Sequence, residues 1–106
     1  MLKTKYIPQE NADLMLRILE KVKANYENVI FNLKATDGET DFWTTFPESI
    51  VDGMDGIDCE GFGVNCYHGD YRKYLGWFFF TPYEDDTDCV LCDMTDNDFC
   101  KEMSNE

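Results

Sequence analysis

A chain of 106 residues with a formal net charge of -13 has the length of one domain, and such a charge disfavours nucleic-acid backbones and anionic membranes as partners. Hydrophobic residues make up 43% and aromatic residues 15%, too much apolar matter for an acidic disordered tail. No segment has the pattern of a secretory leader, and the longest apolar run, Trp77 to Phe80, is far short of the ~20 residues a membrane span needs. The expectation is therefore one compact acidic domain over 1–106, cytoplasmic and without membrane attachment.

Lys3 and Lys5 open a short polar arm, and Pro8 precedes a helix expected over Gln9 to Asn25. Met15, Ile18, Leu19, Val22 and Tyr26 recur at helical spacing and share one face, which Leu14 and Leu16 widen. Glu10 and Asp13 lie early and Lys21 and Lys23 late, as the helix dipole prefers. Val29, Phe31, Leu33 and Ala35 then alternate with Ile30, Asn32 and Lys34, the period of a strand. Asp37-Gly38 signals a turn, and Asp41 to Phe46 completes a hairpin that Pro47 ends. A helical turn is expected near Pro47 to Val51. Asp52-Gly53 and Asp55-Gly56 read as turn pairs, and Gly61 and Gly63 loosen the segment further. Val64 to Tyr67 suits a short strand.

After the turn at His68-Gly69-Asp70, the stretch to Leu75 fits either a helical turn capped by Asp70 or a strand carrying Tyr71, Tyr74 and Leu75. Trp77 to Thr81 is a strong strand signal, ended by Pro82 and the acidic run Glu84 to Asp88. Cys89 to Asp93 looks like a returning strand. Thr95 and Asp98 fit a capping box for a short helix over Asp96 to Met103. This order gives an α+β fold: a mainly antiparallel β-sheet of about four to five strands, with one long N-terminal helix packed on one face and a short C-terminal helix. The expected core is Met15, Ile18, Leu19, Val22, Phe31, Leu33, Trp77 and Phe79. Phe78 and Phe80 then face the other side of their strand, where the irregular middle segment or a second copy in a homodimer would cover them.

The stretch E-D-D-T-D-C-V-L-C-D-M-T-D-N-D-F-C, from Glu84 to Cys100, holds seven acids, three of the five cysteines and no base. Cys89 and Cys92, joined by Cys59, Cys66, Cys100 or His68, would supply enough zinc ligands. Val90 and Leu91, however, favour extended backbone, which turns alternate side chains to opposite faces. A redox dithiol needs a positive neighbour, and Asp85, Asp86, Asp88 and Asp93 oppose a thiolate instead. Small buried apolar thiols are the simpler account, and an odd number of cysteines fits a reducing compartment.

Asp52 to Glu60 is rich in acids, yet aligning Gly56 with the glycine of a calcium loop puts Val51 and Gly53 at ligand positions. The single histidine, His68, stands two residues after Cys66, with no third group to orient its ring. Gly61-x-Gly63 lacks the third glycine of a phosphate loop. No catalytic residue, metal or cofactor is expected, and nothing in the chain asks for an enzyme.

The charge is unevenly placed. Residues 1–34 carry six bases and four acids, a net of +2, and residues 35–106 carry three bases and eighteen acids, a net of -15. Solubility needs far less than this, and such crowding destabilises the fold by self-repulsion. Closely spaced carboxylates imitate a row of phosphates and steer a molecule onto a positive surface. The leading expectation is an acidic binding module that engages a positively charged protein. In its sharpest form it is a nucleic-acid mimic inhibiting a DNA- or RNA-handling protein, with no direct binding of nucleic acid. The expected partner-binding residues are Glu84, Asp85, Asp86, Asp88, Asp93, Asp96 and Asp98, with a weaker patch at Asp52, Asp55 and Asp58. Trp43, Tyr83 and Phe99 would be apolar anchors. The alternatives are a structural or accessory domain whose acidity reflects its host proteome, and a zinc- or calcium-binding protein.

Overall fold

The computed structural model describes residues 2–69, 73–83 and 98–104. Its elements are α1 (Gln9–Asn25), β1 (Val29–Ala35), β2 (Asp41–Thr44), α2 (Pro47–Met54), β3 (Phe62–His68), β4 (Lys73–Phe80) and α3 (Asp98–Ser104). The strands form one antiparallel sheet in the order β2-β1-β3-β4. The fold is α+β, with a long N-terminal helix and a short C-terminal one.

α1 runs over the residues its periodicity marks. It buries Ala12, Met15, Ile18, Leu19 and Val22, and the Pro8 carbonyl accepts from the N–H groups of Asn11 and Ala12 to start it. β1 buries Val29, Phe31, Leu33 and Ala35 on the same side. The turn into β2 is held by Asp37, whose carboxylate accepts from the N–H groups of Glu39 and Thr40 at 2.8 and 2.9 Å. Gly38 supplies the positive φ of 79° that this turn requires. Those two N–H groups, with the Thr40 hydroxyl, hold the Asp37 carboxyl below its ordinary value.

Two sequence expectations change, and one open alternative is decided. Asp52-Gly53 is not a turn but lies inside α2, which extends to Met54 and buries Pro47, Ile50, Val51 and Met54. Burial of that face outweighs the helix penalty of about 1 kcal/mol for one glycine. β2 ends at Thr44, two residues short of Phe46. From Lys73 onward the stretch to Leu75 is strand, not helix. The returning strand over Cys89 to Asp93, and the proposed helix start at Thr95 and Asp96, lie outside the described residues.

The larger correction concerns β4. Phe78 and Phe80 are fully buried, whereas Trp77 is 39% exposed and Phe79 half-buried on the opposite face. Four successive large apolar residues carry no alternation, so pairing decides which way they point. Phe62, Val64 and Cys66 of β3 face the helices, and their direct partners are Phe80, Phe78 and Gly76. Residues directly opposite across a ladder share a face. Phe78 and Phe80 stack at 5.5 Å within the core, so they need no second copy to cover them.

α3 closes this core. The Phe99 ring packs on Phe78 at 5.4 Å and on Tyr26 at 6.2 Å, Met103 is buried, and Lys21 Nζ donates to the Glu102 carbonyl. Phe99 occupies the space a side chain at position 76 would need, so the strand carries glycine there. No helix among the described residues is long and apolar enough to cross a membrane.

Candidate partner-binding surface

The three helices among the described residues pack on one side of the sheet, so its two faces differ in chemistry. The helix face is the apolar core. The other face presents Ile30, Asn32 and Lys34 of β1, Asp41 and Trp43 of β2, Gly63, Asn65 and Tyr67 of β3, and Tyr74, Trp77 and Phe79 of β4, placed there by the register. Trp43, Asn32, Asn65 and Trp77 form one row directly across the four strands. Beside it, Trp43 meets Tyr67 at 5.4 Å with the rings tilted, and Tyr67 meets Tyr74 edge to face at 5.2 Å. Trp43 is 45%, Tyr74 49% and Trp77 39% exposed.

The floor between these rings is polar. Tyr74 Oη donates to Asn65 Oδ1 at 3.3 Å, Asn65 Nδ2 donates to Asn32 Oδ1 at 3.2 Å, and Asn32 Nδ2 donates to Asp41 Oδ1 at 2.7 Å. The chain of bonds thus runs from a phenol to an exposed carboxylate. Asn32 is almost wholly buried, and asparagine is disfavoured in strands, so its two amide atoms must be paired where they lie. Burial, then the neighbouring Tyr67 and Cys66, push the Tyr74 phenol up to about 12.

Of the acids expected to bind a partner, Glu84, Asp85, Asp86, Asp88, Asp93 and Asp96 lie outside the described residues. Asp98 stands exposed in the first turn of α3, on the helix side and away from the aromatic face. The weaker patch divides. Asp52 and Asp58 are exposed, but Asp55 is a structural latch: its carboxylate accepts from the N–H groups of Lys5, Tyr6 and Ile7 at 2.7, 2.9 and 3.0 Å. Burial pulls the Asp55 carboxyl upward, and these three donors with the Lys5 charge outweigh it, leaving it below its ordinary value.

The expected anchors also divide. Tyr83 is used internally, donating to the Met54 carbonyl at 2.6 Å and accepting from the Gly56 N–H at 2.7 Å, and Phe99 is half-buried, packed against the core. Of the three, Trp43 has the exposed ring, at 45%. Cys66 is buried in the core, and His68 lies near the Tyr26 ring at 6.0 Å. The Cys59 thiol donates to the Gly61 carbonyl. Among the described residues no three His, Cys, Asp or Glu side chains are grouped to hold a metal ion.

Sequence reasoning did not single out Asn32, Asn65, Tyr67, Tyr74 and Trp77 as surface residues. The signal was present: asparagines at the centres of two strands mark the face that is not core. No protein family, curated protein or solved structure matches this chain.

Proposed function

We propose that the chain is an acidic, non-catalytic binding module whose partner is a protein with a positively charged surface, and that it works in the cytoplasm. The observation that carries this reading is the charge of -13, concentrated after Lys34, on a fold that leaves an aromatic sheet face exposed. The charge would bring a basic surface in quickly and from a distance. Aromatic side chains would provide the contact area that charge alone lacks. Where the partner is a DNA- or RNA-handling protein, the carboxylates would occupy the cleft meant for phosphates, and the chain would act as an inhibitor.

The test is binding of the purified chain to a basic nucleic-acid-handling protein, measured across a salt series with and without duplex DNA. The expected result is an affinity that falls steeply with salt and is competed by the duplex. Salt-independent binding, or the absence of binding to any basic surface at low salt, refutes the reading.

A further inference from the structure

The open sheet face differs from an accidental apolar patch in one respect: its rings surround a hydrogen-bonded floor that ends on a carboxylate. Asp41 uses Oδ1 to accept from Asn32 and is itself exposed. Three classes of occupant suit aromatic rings on a sheet. Bases of a single strand stack on such faces, but that mode needs a basic groove for the phosphates. Among the described residues, the cation that the register places on this face is Lys34, which stands directly opposite Asp41. A second copy would bring another -13 against the first. A cationic side chain has neither difficulty, because the overall field draws it in and the ring faces attract it.

We propose that this face, built from Trp43, Tyr67, Tyr74 and Trp77 over Asn32, Asn65 and Asp41, docks an arginine-bearing segment of the basic partner. The inference rests on the reading of the chain as an acidic binding module and names the surface that module uses. A guanidinium is flat, stacks on indole and phenol rings, and forks onto a carboxylate. Trp43 and Trp77 stand three strand spacings apart, roughly 14 Å at about 4.8 Å each. An extended segment crossing the strands would therefore run from one indole over Asn32 and Asn65 to the second, with the tyrosine pair beside its path.

The chain contains two tryptophans, and both lie on this face, so intrinsic emission reports on it alone. The experiment titrates the full chain at low salt with a labelled oligo-arginine peptide, an oligo-lysine peptide of equal charge and a single-stranded oligothymidine. Anisotropy reads total binding and tryptophan emission reads its location. Binding of oligo-arginine that shifts the emission, is tighter than oligo-lysine, and weakens about fivefold or more in Trp43→Ala at unchanged melting temperature is the expected result. Oligo-arginine binding with silent tryptophans and no effect of Trp43→Ala overturns the assignment of this face, and leaves the acidic-module reading standing. Failure of oligo-arginine to bind at low salt removes both. Tighter binding of oligothymidine, or a concentration-dependent dimer whose emission shift the peptide cannot reverse, overturns the choice of occupant.

Discussion

Asp55→Ala tests how the N-terminal arm is held. The carboxylate collects three backbone N–H groups in a row just ahead of α1, and the arm brings Ile7, 3% exposed, into the core. Hydrogen bonds to a charged acceptor are worth about 1.5–3 kcal/mol each where water is excluded. Lys5 and Tyr6 donate at exposed positions, so water replaces most of what they lose. The Ile7 N–H is partly buried and is the costly one to orphan. Together these give a loss of about 2 kcal/mol. For a chain of this size that is a fall in Tm of about 8 °C, read by circular dichroism at neutral pH.

The pH dependence carries its own sign. The carboxyl of Asp55 lies below its ordinary value of 3.8 in the folded chain, so its contribution is fully present above that value and is lost as pH falls through the folded one. The gap in Tm between the native chain and Asp55→Ala should therefore be constant from neutral pH down to about 5 and close in stronger acid. Comparing the two proteins cancels the relief of self-repulsion that acid brings to every carboxylate. A gap below about 2 °C at neutral pH, or one that widens in acid, refutes the latch.

Phe78→Ala should cost about 3–5 kcal/mol in denaturant unfolding and Trp77→Ala clearly less; the reverse order would restore the parity expected from sequence. Gly76→Val should force the Phe99 ring out of its seat, costing about 1–3 kcal/mol and raising amide exchange in α3, while leaving exchange in β1 slow. Alkaline difference spectroscopy should show a phenol titrating near pH 12, and Tyr74→Phe should remove that contribution. Asn32→Leu alone should destabilise by about 1–3 kcal/mol, because it strands the Asn65 amide, and the double change Asn32→Leu with Asn65→Leu should recover most of that loss.

The helix side of the molecule was legible because its signals are periodic. The spacing of Met15, Ile18, Leu19 and Val22 places α1 to the residue, and alternation places β1. The Asp37-Gly38 pair gives the turn between β1 and β2. What stayed hidden depended on neighbours in space. The run Trp77 to Phe80 is apolar at every position, so its orientation exists only in its pairing with Phe62 and Val64. Asp55 looks like one more member of an acidic patch until the arm folds back over it across some fifty positions of sequence. The aromatic face is spread over β2, β3 and β4, and no single stretch contains enough of it to stand out. Charge, by contrast, was legible as a total, which assigns no carboxylate to a face: Asp98 is exposed on α3, on the opposite side of the sheet from the exposed rings.

That separation has a physical consequence for what the molecule can tolerate. Stability rests on the helix-side core, on Phe99 seated over Gly76, and on the Asp55 latch. The open face contributes exposed rings and a chain of hydrogen bonds whose net worth to folding is small, because an apolar pair of the same shape would serve as well. Aromatic area left in water and two asparagines kept at strand centres are costs that a purely structural face would shed. They become intelligible if the face is selected for what lands on it. The prediction that separates the two accounts is the double change at Asn32 and Asn65: it should leave the melting temperature close to native while weakening oligo-arginine binding, because Asp41 loses the donor that orients it. Native binding in that variant would assign the asparagines to folding alone.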